Sequence, residues 1–187
     1  MVFFLRSRIT PAALAILPGA FNPLTRAHMA MAEAALAHAD EVLFILPRIF
    51  PHKSYDIGAS FDERLSHLRE AARDQRYSIA TTDRGLFIDI AAECRDYYPK
   101  DTRLLFVCGR DAAERIVNWD YGRPGAIEEQ LREYELLVAS REGDYIPPEA
   151  LRSRVHALDI PVDCQKMSST EVRKRMATGE PWRHLVP

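Results

Sequence analysis

The chain has few cysteines, and their arrangement limits the chemistry they can carry. Cys94, Cys108 and Cys164 are far apart in the sequence and odd in number. They therefore form neither a disulfide framework nor a paired metal site. We expect reduced, buried thiols, which are typical of cytoplasmic proteins.

The chain also has no surplus of positive charge. Its formal net charge is −2 at pH 7, which argues against a general nucleic-acid-binding surface. An anionic ligand would have to be bound by local positive clusters instead. Lys53, Arg110 and the basic run 173–175 are the candidates.

Long apolar runs are absent as well. The apolar run near the N-terminus, Val2-Phe3-Phe4-Leu5, is too short for a signal-peptide core or a membrane span. We interpret residues 1–11 as an extension of unknown role, either an extra edge strand or a segment packed on the surface. The 187 residues suit one domain, 1–187, which is long enough to bury roughly 70% of its unfolded surface.

Strand-length apolar runs alternate with segments of helical spacing, which predicts an α/β fold. The runs are mostly continuous rather than alternating, as in a parallel sheet covered on both faces. The alternation indicates right-handed βαβ units and a doubly wound parallel sheet. The predicted strands are 12–17, 41–46, 77–81, 103–108, 135–140 and 155–158, and the predicted helices are 27–39, 61–73, 88–97, 111–118 and 127–133.

Small and polar residues follow the predicted strands repeatedly. Segments 19–28, 47–53, 84–89 and 109–111 come after the first four strands in turn. In a doubly wound sheet, ligands bind outside the carboxyl ends of the strands at the point where strand order reverses. These segments therefore indicate one shared ligand site.

Two segments at opposite ends of the chain have the geometry of phosphate sites. Segment 19–28 joins a strand to a helix through small residues, and segment 168–173 also opens a helix. Helix N-termini present free backbone N–H groups and a favourable dipole to anions. Thr25 and His28 share a face of the first helical turn, and Arg173 lies one turn into the second helix. Together they predict a nucleotide triphosphate held between the two ends.

Each of these features also has a purely structural interpretation. His28 could cap or pack at its helix start, and Ser168 with Glu171 has the spacing of a capping box. A capped helix still offers N–H groups to a phosphate, so the capping and binding interpretations of Ser168 are compatible.

The segment Gly-Ala-Phe-Asn-Pro-x-Thr-x-Ala-His resembles the G-x-F-x-P-x-H/T-x-G-H motif of the nucleotidyltransferase superfamily. Segment 168–173 resembles its S-S-T-x-x-R motif. Segment 47–53, the Gly-x-Asp before Trp119 and the closing 184–187 are similar to motifs of the nicotinate/nicotinamide mononucleotide adenylyltransferases. This chain departs from those patterns at Ala27, where glycine is usual, and at Leu86-Phe87, where Tyr-Thr is usual.

The resemblance implies a Rossmann-like nucleotidyltransferase fold and a set of site residues. Catalysis is expected from His28, Thr25 and Arg173, with Mg²⁺ carried by the ATP phosphates because no carboxylate cluster resembles a metal cage. The residues expected to bind ATP are Gly19, Ala20, Phe21, Thr25, His28, Gly109, Ser168, Ser169, Thr170 and Arg173.

The acceptor nucleotide is expected to bind a second set: Lys53, Phe87, Asp89, Asp111 and Trp119. Lys53 would hold its phosphate. Asp111 would bond a ribose hydroxyl or serve as a helix N-cap, and Trp119 would stack on the pyridine ring or pack in the core.

The resemblance implies a cytoplasmic enzyme that transfers AMP from ATP to a pyridine mononucleotide and releases pyrophosphate in NAD biosynthesis. The alternatives are a sister transferase with another phosphorylated acceptor, such as phosphopantetheine or a polyol phosphate, and a non-catalytic nucleotide-binding regulator. No nucleic-acid or membrane partner is expected, and a homo-oligomer remains open. Segment 166–169 also resembles the K-M-S-K-S loop of class I aminoacyl-tRNA synthetases, but 187 residues leave no room for a tRNA-reading domain.

Overall fold

The computed structural model describes residues 1–47, 59–140, 143 and 145–187. Seven strands form one sheet in the order β1-β4-β3-β2-β5-β6-β7. The strands are β1 Val2–Leu5, β2 Ala13–Pro18, β3 Glu41–Pro47, β4 Tyr77–Thr82, β5 Arg103–Gly109, β6 Glu135–Ala139 and β7 Val155–Leu158. The helices are α1 Arg26–Ala35, α2 Phe61–Ala71, α3 Phe87–Cys94, α4 Arg110–Val117, α5 Ala126–Glu133, α6 Val162–Gln165 and α7 Ser169–Thr178.

The sheet is covered by helices on both faces, which confirms the doubly wound α/β prediction. In β2, Ala15 and Leu17 belong to one apolar cluster, whereas Leu14 and Ile16 belong to the other. Successive side chains of a strand point to opposite faces, so a strand buried on both faces is apolar throughout. Helices α1, α2, α6 and α7 contribute to the first cluster, and α3, α4 and α5 contribute to the second.

Strands β2 and β5 are neighbours at the centre of the sheet. From β2 the chain proceeds outward through β3 and β4, and from β5 it proceeds outward on the other side through β6 and β7. Strand order therefore reverses between β2 and β5. The loops that follow these two strands lie at the position where doubly wound sheets bind their ligands.

The N-terminal segment contains an edge strand, which is one of the two arrangements that we expect for residues 1–11. β1 runs antiparallel to β4, with Val2 opposite Thr81 and Leu5 opposite Ile79. β1 has four residues and is half-exposed, and its pairing with β4 changes register between Phe3 and Leu5. It differs from the other strands, which are parallel and largely buried.

The predicted helices all form, with different ends. The first helix stops at Ala35 and gives way to turns, although its alanine-rich sequence predicts a continuation to residue 39. The four-residue helix α6 and the short 3-10 turns Glu149–Leu151 and Arg183–Leu185 were not predicted. Such short elements lack the repeated apolar spacing on which helix prediction depends.

The three cysteines are buried free thiols, as expected. Burial raises the pKa of the Cys94 and Cys108 thiols to about 12. Across the described ranges no helix is both long and apolar enough to cross a membrane. The same ranges hold no group of three or more histidine, cysteine or acidic side chains placed to bind a metal ion.

Candidate active site

The loop between β2 and α1 is held tightly against the sheet. The backbone N–H of Gly19 donates to Ile45 O at 3.0 Å. A Cβ at Gly19 would lie only 2.8 Å from an atom of the Phe21 ring, so a larger residue would displace that ring. Phe21 is 1% exposed, adopts a positive φ of 47° and packs edge-on against His28 at 5.2 Å between ring centroids. Its ring belongs to the core cluster that lies against α1.

Thr25 and His28 form a capping arrangement at the start of α1. The Thr25 backbone N–H donates to His28 Nδ1 at 3.1 Å, and the Thr25 hydroxyl lies 2.7 Å from the same nitrogen. Because a backbone N–H can only donate, Nδ1 is the acceptor and the ring proton lies on Nε2. The capping and functional interpretations of His28 are therefore compatible, since capping through Nδ1 orients Nε2 as the donor.

Helix α7 is bonded to this loop by two side chains. Ser169 Oγ donates to Pro23 O at 2.9 Å, and Arg173 Nη1 donates to Asn22 O at 2.6 Å. Arg173 Nη2 also donates to the Thr170 hydroxyl at 3.2 Å. The structure thus brings together the two segments from opposite ends of the chain, as the sequence predicts.

The predicted capping box of α7 is formed on one side only. Ser168 Oγ accepts from the Glu171 N–H at 3.1 Å. The Glu171 carboxylate instead accepts from Arg175 Nε at 2.7 Å, which lowers the pKa of that carboxyl. The i,i+4 charge pair has replaced the second half of the box, so one backbone N–H at this N-terminus is not capped by Glu171.

Arg64 contacts the β2–α1 loop, and the sequence does not reveal this contact. It lies in α2, is 6% exposed and donates from Nη1 to Ala20 O at 2.8 Å. Burial lowers the pKa of its guanidinium from the ordinary value. Its position in an ordinary amphipathic helix gave no signal, because the contact joins residues 44 positions apart.

A second part of the site lies at the carboxyl end of β5. Gly109 is the N-cap of α4, and Asp111 is the second residue of that helix. The interpretation of Asp111 as the N-cap is therefore wrong, because the helix begins one residue earlier than predicted. Asp111 and Trp119 line an open hollow beside α4. Trp119 is 50% exposed, which rules out the core-packing alternative.

Next to Trp119 is a cavity of about 250 Å³ between α3, α4 and α5. Phe87 lines it and stacks on Phe106 with ring centroids 4.3 Å apart, and Tyr134 packs edge-on against both rings. The described lining residues are Gly85, Leu86, Phe87, Ala112, Arg115, Ile116, Trp119, Tyr121, Gln130 and Tyr134. An apolar cavity with a few polar groups is typical of a site for a ring-containing ligand.

The other residues expected to bind the acceptor lie elsewhere. Asp89 is half-buried in the first turn of α3 and does not line the cavity. Lys53 and most of the predicted loop around it lie outside the described residues.

Ala27, where the superfamily motif has glycine, does not narrow an open cleft. It is 1% exposed and belongs to the core cluster beneath α1. The additional methyl group is accommodated by packing.

Comparison with known proteins agrees with this geometry. Residues 16–175 match the family described as cytidylyltransferase-like. A probable nicotinate-nucleotide adenylyltransferase from Solibacter usitatus is 34% identical over 89% of this chain and 88% of its own length. The chain belongs to the nicotinate-nucleotide adenylyltransferase family. A second member, from Thermus thermophilus, is 31% identical over 90% of this chain and 89% of its own.

Solved structures support the fold. The Plasmodium falciparum nicotinic acid mononucleotide adenylyltransferase complexed with NaAD has a TM-score of 0.68 at 20% identity, covering 90% of this chain and 86% of its own. The same enzyme complexed with APC has a TM-score of 0.66 and covers 87% of this chain and 82% of its own. The Rossmann-like nucleotidyltransferase fold implied by the motifs is thereby confirmed.

Proposed function

We propose that this protein transfers AMP from ATP to nicotinate mononucleotide and releases pyrophosphate, a step of NAD biosynthesis. The observation that carries the proposal is the junction of α7 with the β2–α1 loop through Ser169 and Arg173, beside His28, whose Nδ1 caps the Thr25 backbone N–H. Two helix N-termini bound to one loop form a cradle for a polyphosphate. The identity of the acceptor, nicotinate mononucleotide, is taken from the names of the family's members.

The reaction needs no covalent intermediate on the protein. An oxygen of the acceptor's phosphate attacks the α-phosphorus of ATP, and the bond from that phosphorus to the β-phosphate oxygen breaks. Catalysis of such a transfer consists of positioning and of neutralising charge on the phosphoryl oxygens. His28 donates from Nε2 to a phosphoryl oxygen, and Thr25 fixes the ring that does so. Arg173 and the N–H groups of residues 168–170 offset the charge of the polyphosphate.

The acceptor lies across the sheet from the polyphosphate. Its pyridine ring stacks on Trp119 at the mouth of the 250 Å³ cavity, and Asp111 accepts a hydrogen bond from a ribose hydroxyl. Phe87 forms the wall of that cavity, and Lys53 holds the acceptor's phosphate. Mg²⁺ would arrive bound to the phosphates of ATP. A bound Mg²⁺ keeps several of its waters and is usually held by substrate phosphates rather than by a cage of protein ligands.

The compartment we propose is the cytoplasm, because the three cysteines are free thiols in the structure. Free thiols are typical of a reducing compartment.

A pyrophosphate-release assay with Mg-ATP and a set of acceptors tests the proposal. We expect turnover with nicotinate mononucleotide and formation of the dinucleotide, identified by mass. Phosphopantetheine and a polyol phosphate serve as controls for a sister transferase. Turnover only with one of those would overturn the proposed acceptor, and tight ATP binding in calorimetry without turnover on any acceptor would indicate a non-catalytic regulator.

A further inference from the structure

The acceptor cavity has one charged wall. Arg115, on α4, is the only charged side chain among its described lining residues. Arg115 also lines the outer hollow, where the other charged side chains are Asp111, Glu114 and Asp120, and none of these three carboxylates lines the cavity. Glu114 is already paired with Arg110 at 2.9 Å.

Arg115 is exposed, and its guanidinium makes one hydrogen bond along its own helix. Its Nε donates to Asp111 O at 3.3 Å, one turn earlier in α4. Neither Nη atom makes a hydrogen bond or ion pair within the described part of the chain. A guanidinium offers its Nη groups as a planar fork that matches a carboxylate, and it has no acceptor to offer an amide N–H.

The remaining polar groups of the cavity do not discriminate by charge. Tyr134 donates its hydroxyl proton to Gln130 Oε1 at 3.2 Å, and Tyr121 donates to Ile116 O at 3.0 Å. Gln130 thus has its amide N–H groups to offer, and these bond the oxygen of a carboxylate or of a carboxamide equally well. Phe87, in the position where the family pattern has threonine, contributes only apolar surface.

We infer that Arg115 is the specificity-determining residue that selects an anionic, carboxylate-bearing pyridine ring over its neutral carboxamide. The ring enters beside Trp119, and its carboxylate meets the two Nη atoms of Arg115. The volume of about 250 Å³ accommodates one substituted ring and not a whole nucleotide, so the ribose and phosphate stay outside the cavity. This inference rests on the proposed function and adds to it the residue that chooses between the two acceptors.

The test measures kcat and KM for nicotinate mononucleotide and nicotinamide mononucleotide in the wild type, Arg115→Leu, Arg115→Gln and Arg115→Lys. A hydrogen bond to a charged group contributes about 1.5–3 kcal/mol, which is about 10- to 100-fold in kcat/KM. We expect Arg115→Leu to lose that factor with the nicotinate substrate, mainly through KM. Its kcat/KM with the nicotinamide substrate should change by no more than about threefold.

The two polar variants refine the result. Arg115→Gln offers a hydrogen-bond acceptor to the carboxamide N–H of the nicotinamide substrate. It should therefore reduce the preference for nicotinate mononucleotide further than Arg115→Leu does. Arg115→Lys keeps the charge without the fork, so it should retain part of the preference. Arg132→Leu removes an exposed charge from α5, outside the cavity lining, and should leave the preference unchanged. Thermal melting checks that each variant folds.

The outcomes separate this inference from the function on which it rests. Absence of turnover by the wild type with both nucleotides contradicts the proposed function. An active wild type whose preference survives in Arg115→Leu contradicts the inference alone, and would assign carboxylate recognition to the backbone N–H groups at the start of α3. Equal loss on both acceptors would also overturn it, because Arg115 would then only support the cavity.

Discussion

At the scale of single residues, His28 shows how one side chain can serve both structure and chemistry. Its Nδ1 accepts from the backbone of Thr25, and its ring packs against Phe21. The helix cap thereby sets the tautomer, because the nitrogen bonded to the backbone N–H cannot carry the proton.

Replacement of His28 by alanine should lower kcat by about 100-fold or more, with KM for ATP changed far less. Loss of one preorganised donor to a developing charge has an effect of this size. Steady-state kinetics with Mg-ATP and nicotinate mononucleotide measure it. His38→Ala, at an exposed position just after the same helix, is the matched control and should turn over normally. Near-normal kcat in His28→Ala would remove this residue from the reaction.

The motifs predict which residues form the proposed phosphate cradle, but they do not predict how those residues contact one another. Ser169, Arg173 and His28 were all expected at the site from their motifs. That Arg173 bonds a backbone carbonyl of the first loop depends on how α7 packs against the β2–α1 loop, which no local pattern encodes. The contact of Arg64 with Ala20 O has no signal in the sequence for the same reason, since Arg64 lies in an ordinary amphipathic helix 44 positions away.

At the scale of elements, the strands were predictable because a strand buried on both faces is a continuous apolar run. The edge strand β1 remained ambiguous, since its four residues are half-exposed and pair with β4 across more than 70 positions. The ends of helices were predicted less accurately than the strands. In α1 the alanine-rich sequence favours a helix to residue 39, whereas the helix ends at Ala35. The loop around Lys53 stays a prediction.

The attachment of α7 to the β2–α1 loop gives a second prediction. Arg173→Lys retains the charge. The lysine ammonium lacks the planar fork of a guanidinium, so it cannot bond Asn22 O, Thr170 Oγ1 and a phosphate at the same time. We expect KM for ATP to rise by about 10- to 100-fold, the range for lost hydrogen bonds to a charged group. Lys174→Gln, at an exposed position on the same helix, is the control and should leave KM for ATP unaltered. A rise confined to KM for the acceptor would contradict this assignment.

At the scale of the whole molecule, the end of the sheet opposite the site contains a buried carboxylate. Glu41 begins β3, is 1% exposed and accepts hydrogen bonds from Ser78 at 2.6 Å and Tyr98 at 2.7 Å. Burial raises the pKa of Glu41, and the two hydrogen bonds and the charge of Arg6 only partly oppose this. A carboxyl whose pKa is higher in the folded than in the unfolded state stabilises the fold at acidic pH, and that stability is lost as pH rises through the folded pKa.

Glu41→Gln should therefore gain stability relative to the wild type as pH rises. The amide oxygen can still accept from Ser78 and Tyr98, and the variant has no buried charge to form. A relative gain of about 1 kcal/mol corresponds to a melting temperature higher by about 2–4 °C. Melting curves from pH 4 to pH 8 measure the difference, with the exposed Glu33→Gln as the control. A difference that shrinks with rising pH would contradict the assignment.

The division of helices between the two faces of the sheet has a consequence for how this protein can change over generations. The proposed polyphosphate site lies on α1 and α7, which pack on one face, and the proposed ring site lies on α3, α4 and α5, which pack on the other. Substitutions that alter the ring cavity thus repack one core cluster and leave unchanged the other, on which the proposed phosphate site lies. Leu86 and Phe87, which depart from the family pattern, both lie on the ring side. Descendants of this chain could exchange one acceptor for another while the chemistry of adenylyl transfer stays intact.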